Sequence, residues 1–269
     1  MHDSHTIAEI IIERFCLPQE VMQTFFTSYF SFYLVGMKGK IISCIFWILC
    51  ITDIVTNTFN IAVLHYAVKP LLIPCLIYLF INETKHTKVT SSPLLITGLL
   101  FCWLGDVLLM FESSYPIFFI LGLASFLGGH LFYIFYFSKL PSQPKKMRER
   151  NLLILLPVAV YVLILLYKLY PSLGDLKIPV TVYAIVLAAM LSMALWKSKK
   201  TDFTTGLLFI VGATSFVLSD SLLAINKFYH PFSQSVFFIM FTYSVAQYLI
   251  VMGGIRVNRN TGMINHSVE

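Results

Sequence analysis

Charge is what this sequence has least of: Asp, Glu, Lys and Arg together make up 12% of its 269 residues, where a soluble domain carries about a quarter. A water-soluble globule is thereby excluded. Cysteine is sparse and unpatterned. Cys16, Cys44, Cys50, Cys75 and Cys102 are odd in number and form no C-x-x-C pair, so neither a disulfide framework nor a structural zinc site is indicated. They are expected to pack as small buried hydrophobes. The first residues lack the basic start and small-residue cleavage site of a secretory signal. There is no H-E-x-x-H pair and no G-x-S-x-G turn, which removes the local signatures of zinc and serine hydrolases.

What remains is apolar. Hydrophobic residues make up 58% of the chain and the mean hydropathy is +0.80. Apolar runs of about 17 to 25 residues suffice to cross a bilayer as helices, and eight are placed at 41–59, 61–81, 93–111, 115–138, 151–170, 178–196, 204–225 and 232–255. The expected fold class is an all-α polytopic membrane bundle of eight transmembrane helices with both termini cytoplasmic. Charge tests that count, because Lys and Arg gather in cytoplasmic loops. With eight spans, fifteen of the 19 Lys and Arg fall on one side and three on the other, while Lys69 lies inside a span.

This asymmetry also accounts for the net charge of +6. Nucleic-acid binding needs basic residues interleaved with aromatics on a solvated surface, and the aromatics here lie mostly within the spans, so no nucleic-acid partner is expected. Residues 41–256 read as one bundle, with 257–269 as a tail. Residues 1–40 read as an N-terminal extension, either an interfacial helix on the cytoplasmic face or a non-native start before Met37. Spans three and seven carry GDVLL and SDSLL, and spans four and eight both begin with FFI. A parallel four-plus-four repeat is one reading of that, and chance matches between apolar segments are the other.

An ionised side chain at mid-membrane costs at least about 2.5 to 3.5 kcal/mol and needs a partner or a task. Asp53, Lys69, Asp106 and Asp220 are such residues, at about 8, 12, 8 and 8 Å from the outer ends of their spans at 1.5 Å per residue. Three carboxylates facing one ammonium leave an excess of negative charge, so at least one aspartate is expected to hold a proton near neutral pH. A carboxyl that holds a proton beside one that does not suits general acid catalysis, and it suits proton-coupled transport equally. A third reading makes the aspartates interhelical glue. Lys69 precedes Pro70, which bends the span; a snorkelling lysine is the bland alternative to a binding one. His130 and Gln247 come out deeper, at about 22 Å. His130 and Tyr133 share one helix face, and Tyr243 and Gln247 another. Catalytic zinc needs about three converging ligands. With His130 about 14 Å below the aspartates, no metal is expected, and Ser219 beside Asp220 lacks a histidine at its level.

The motifs LLFCWLGDVLLMF, LASFLGGHLFYIFYF, GATSFVLSDSLLAINKF and FTYSVAQYL, with KPLLIP in the second span, resemble the YhhN-type membrane family that includes the animal lysoplasmalogenases, over about residues 60 to 252. The resemblance implies an eight-helix hydrolase that cleaves the vinyl ether of a lysoplasmalogen, a lysophospholipid held in membrane lipid, to a fatty aldehyde and glycerophosphoethanolamine or glycerophosphocholine. It implies no cofactor. It puts the catalytic acids at Asp106 and Asp220, and it places Lys69, His130, Tyr133, Asn226, Tyr243 and Gln247 around the site. Lys69 or Lys227 is positioned to hold the phosphate. A bacterial member is expected in the plasma membrane and a eukaryotic one in the endoplasmic reticulum.

Overall fold

The computed structural model describes residues 36–59, 61–85, 92–140, 155–198 and 201–266, with side chains as far as Thr261. The interfacial-helix expectation for the N-terminal extension falls almost entirely outside these residues. Within them the chain is helical throughout, as a backbone in hydrocarbon must be if its amides and carbonyls are to be paired. The helices are α1 (Met37–Thr58), α2 (Ala62–Val68), α3 (Leu72–Thr84), α4 (Ser92–Leu109), α5 (Ile117–Ser138), α6 (Leu156–Leu169), α7 (Lys177–Ser198), α8 (Phe203–Ala224) and α9 (Ser235–His266).

Helices α2 and α3 are two halves of one pass, joined by the 3-10 turn Lys69–Leu71 at Pro70. The α-helix is interrupted at the proline from which a bend was expected, and Trp103 Nε1 donates to the Pro70 carbonyl at 2.9 Å. Seven passes among the described residues are long and apolar enough to span a membrane: Met37–Thr58, Ala62–Thr84, Ser92–Leu109, Ile117–Ser138, Gly174–Ser198, Phe203–Tyr229 and Ser235–Thr261. The eighth apolar helix, Leu156–Ser172, is shorter; residues 151–154 of the run expected there lie outside the described residues.

The outer surface is apolar, as lipid requires. Along α1, Ile41, Ile45, Ile48, Ile51 and Val55 are all exposed, on a face that water would penalise. The inward faces pack closely where glycine permits. A Cβ on Gly98 of α4 would stand 2.6 Å from the Tyr133 ring of α5, and one on Gly105 would stand 2.7 Å from Phe126. Small residues let helices approach where lipid gives no hydrophobic drive between them.

Helix α9 is the centre of the bundle. Its span is 61% buried, against 33 to 44% for the others, and it touches α1, α3, α4 and α8. At 32 residues it is about 48 Å long, more than the roughly 30 Å hydrocarbon core. Its C-terminal turns gather the end of the bundle where the basic loops lie. Arg259 pairs with Glu83 of α3, Asn258 accepts from Ser92 Oγ at 3.0 Å, and Arg256 Nε donates to Asp202 Oδ2 at 2.9 Å. Asp202 also caps α8 by accepting from the Thr205 amide at 3.2 Å. Burial alone pushes the Asp202 carboxyl up, but the hydrogen bonds from Thr205 and the Arg256 guanidinium outweigh it and hold the group below its usual range. The opposite end of the bundle, called the far end below, carries the aspartates.

Candidate functional site

Asp106 lies one turn from the end of α4, 4% exposed. Gly105 lets the Phe126 ring of α5 lie against the backbone beside it. Phe126 in turn meets the edge of Tyr243 of α9 at 5.9 Å, and the Tyr243 hydroxyl donates to Asp106 Oδ2 at 2.6 Å. Asp220 on α8 has a parallel arrangement from a different helix: the Tyr183 hydroxyl of α7 donates to its Oδ2 at 2.6 Å. The two carboxyls are close enough for charge on one to act on the other, and Lys69 lies within electrostatic range of Asp106.

His130 is not deeper than the aspartates in the way the span ends implied. Its Nε2 stands 3.5 Å from Asp220 Oδ2. The cause is the end of α8, which continues through a π-helical turn, Ile225–Tyr229, past the boundary expected at 225. Counted from Tyr229, Asp220 is about 14 Å deep, and counted from Ile117, His130 is about 20 Å deep. Two side chains close the remaining gap. The depth argument against a histidine at the level of Asp220 therefore fails. Ser219 nonetheless points elsewhere, donating to the Ile239 carbonyl at 3.0 Å, and no three His, Cys, Asp or Glu side chains gather as a metal site among the described residues.

Tyr133 and Gln247 form one interhelical bond: the Tyr133 hydroxyl donates to Gln247 Oε1 at 2.6 Å, and both are fully buried. Phe216, also fully buried, ties these groups together. Its ring is edge-on to His130 at 4.6 Å, to Tyr243 at 5.6 Å and to Tyr133 at 6.3 Å. Polar hydroxyls and carboxyls here are held against ring edges in a water-poor interior, where each hydrogen bond is stronger than in water.

Above Asp106, toward the far end, opens a cavity of about 470 Å³ lined by His65, Lys69, Glu112 and Asn226, with Leu109 and Met240 among its apolar lining. Lys69 makes no hydrogen bond or ion pair among the described residues. Asn226 spends its Oδ1 on the Phe232 amide at 3.2 Å, which fixes the turn before α9. Lys227 is outside the cavity lining and pairs with Glu112 at 3.6 Å. Leu223 is shared with a second, apolar cleft of about 30 Å³, and Asp220 and Tyr183 line that one. Leu223 thus separates the polar cavity from the cleft that holds Asp220.

Asp53 is fully buried and accepts from His65 Nδ1 at 2.9 Å. Tyr183 and Glu112 escaped the sequence reading. Tyr183 lies about 9 Å into its span from Lys177, with the Thr181 hydroxyl two residues before it, so nothing local singles it out.

The profile of the YhhN family matches residues 64–254. Lysoplasmalogenase TMEM86B of Homo sapiens is 34% identical over 163 residues, 60% of this chain and 64% of that protein. The Sus scrofa protein of the same name is 35% identical over 154 residues, 57% of this chain and 60% of the relative. A lysoplasmalogenase of Mycobacterium tuberculosis is 34% identical over 137 residues, half of each chain. The chain therefore spans between half and just under two thirds of these curated relatives. No solved structure matches it.

Proposed function

Since this chain belongs to the YhhN family, we propose that it hydrolyses the vinyl ether bond of lysoplasmalogens, with Asp106 and Asp220 as the acid and base. The observation that carries this reading is the pair of carboxyls, Asp106 buried and Asp220 nearly so, each held by one tyrosine hydroxyl at 2.6 Å, the first near the polar cavity and the second in the adjoining apolar cleft. The vinyl ether of such a lipid lies just below its headgroup, and Asp106 lies one turn inward of Leu109 and Met110 in the lining of the polar cavity. The name lysoplasmalogenase borne by relatives in mammals and mycobacteria supports the same substrate.

One carboxyl donates its proton to the alkenyl carbon next to the ether carbon, the one that carries the rest of the fatty chain, and the C=C electrons form that C–H bond. The cation left behind is shared between the ether carbon and the ether oxygen, and the second carboxylate faces it. Water adds to the ether carbon and gives its proton to that carboxylate, as in the paired-carboxylate logic of glycosidases. The hemiacetal then breaks the bond between the former ether carbon and the glycerol oxygen, which takes the proton from the second carboxyl while the hemiacetal hydroxyl returns its proton to the first, and the fatty aldehyde leaves with glycerophosphoethanolamine or glycerophosphocholine. Lys69 is placed to hold the phosphate while this occurs, and Tyr243 and Tyr183 keep the carboxyls aimed.

The test is aldehyde release from lysoplasmalogen by purified protein in detergent, beside Asp106→Asn and Asp220→Asn. Both variants are expected to fold and to lose at least about 100-fold in turnover, the scale of general acid–base catalysis. Full turnover in either removes that residue from the chemistry. A folded, lipid-supplied parent that releases no aldehyde ends the hydrolase reading and directs the same carboxyls to proton flux, measurable in liposomes.

A further inference from the structure

The far-end cavity has an electrical asymmetry that cleavage of a vinyl ether does not use. On one wall His65 and Lys69 stand four residues apart and so share a helix face. Buried Asp53 holds the His65 ring through Nδ1 at 2.9 Å, which orients the imidazole in the cavity lining. On the other wall is Glu112, in the turn that follows α4. The Tyr66 hydroxyl donates to the Met110 carbonyl at 3.1 Å and fastens the two walls together two residues from Glu112.

Among the described residues Glu112 has one cationic partner, Lys227, at 3.6 Å, and the two side chains are 35% and 40% exposed. A pair so long and so exposed is weakly held. Lys227 also rests over the Phe119 ring at 4.8 Å, so it stays anchored if Glu112 takes another cation. The cavity thus offers an unpaired ammonium on one side and an exchangeable carboxylate on the other, which is the mirror image of a zwitterion.

We propose that this cavity reads the lipid headgroup: Lys69 with His65 receives the phosphate, Glu112 receives the terminal ammonium, and the protein consequently selects ethanolamine over choline lysophospholipids. A primary ammonium has three N–H donors to satisfy, and besides Glu112 the cavity lining includes Asn57 and Ser113, whose side chains carry acceptor oxygens. A quaternary ammonium donates nothing and is held instead by a cage of aromatic rings; among the described residues Tyr66 is the one phenol ring in this lining. The inference rests on the lysoplasmalogen reading for its lipid, and its test is a binding measurement that needs no turnover.

Saturated 1-O-alkyl lysophosphatidylethanolamine and lysophosphatidylcholine carry the two headgroups on a chain with no vinyl ether, so they report binding alone. Titrated against the full chain in detergent by thermal shift, the ethanolamine lipid is expected to bind about tenfold tighter, and Glu112→Gln is expected to bring the two within about twofold of each other. Lys69→Met is expected to weaken both and to leave their ratio standing, because the phosphate is common. Equal affinity in the parent, or a preference that survives Glu112→Gln, overturns the proposal. Glycerophosphoethanolamine, which has no chain, is expected to bind at least tenfold more weakly than the lipid with the same dependence on Glu112; binding as tight as the lipid's assigns the cavity to a soluble phosphodiester and overturns the lipid assignment. A protein that cleaves vinyl ethers but binds both headgroups equally loses only this inference. One that binds ethanolamine lipids through Glu112 and cleaves nothing loses only the hydrolase reading.

Discussion

A single phenol steadies each buried aspartate, and the two phenols come from different helices, Tyr243 from α9 and Tyr183 from α7. Replacing either tyrosine by phenylalanine keeps the ring and deletes one hydrogen bond to a carboxyl. Such a bond contributes about 1.5 to 3 kcal/mol when the acceptor is charged, which corresponds to roughly 10 to 100-fold in rate. Steady-state kinetics of Tyr243→Phe and Tyr183→Phe are therefore expected to show that loss in kcat with KM little changed. A loss confined to KM, or none, would detach the phenols from the chemistry. Asp106 and Asp220 were legible from sequence because a carboxylate in an apolar run has few excuses. The partners were harder to find. Tyr183 sits in an unremarkable stretch, VTVYAIV, and its meaning comes from a neighbour 37 residues away. His130 was found by type and misplaced in depth, because residue counting is only as good as the helix end it starts from.

At the scale of the element, the ends of helices decide what the middles can do. The α8 helix runs on through a π turn to Tyr229, which lowers Asp220 relative to the far end and brings it level with the His130 side chain. Hydropathy could not report that, since Ile225, Phe228 and Tyr229 look like the close of any apolar run. The start of α8 is governed by Asp202, which caps the helix and binds Arg256. Its carboxyl is held below the usual range in the fold, so folding favours the ionised form. That contribution is complete above the ordinary carboxylate range and is lost as pH falls through the depressed value. Thermal unfolding in detergent is expected to show the parent losing more Tm between about pH 5 and about pH 3 than Asp202→Asn does. Equal slopes would remove Asp202 from the stability of this end. The pairing itself was invisible to a reading of local patterns, because Asp202 and Arg256 are 54 residues apart.

For the molecule as a whole, composition and charge were enough to give a polytopic helical bundle, and the apolar exterior agrees with them. A crossing by the shorter helix Leu156–Ser172 is what would put Met37 and the end of α8 on opposite sides. An Lys38→Cys substitution at the basic end and a Tyr229→Cys substitution at the far end report this directly. In oriented membranes a membrane-impermeant maleimide added from the far side is expected to label Tyr229→Cys alone, with the parent as control for its own cysteines. Labelling of neither from that side, with both labelled from the basic side, would mean that Leu156–Ser172 does not cross. The arrangement of α9 has a consequence for synthesis. Tyr243 and Gln247 bond to Asp106 and Tyr133, and Arg256, Asn258 and Arg259 clasp the starts and ends of three earlier passes, yet α9 is the last of the described helices to leave the ribosome. The earlier passes must therefore wait in the bilayer as a loose set with uncovered polar side chains, and the protein acquires its interior in one late step when α9 inserts among them.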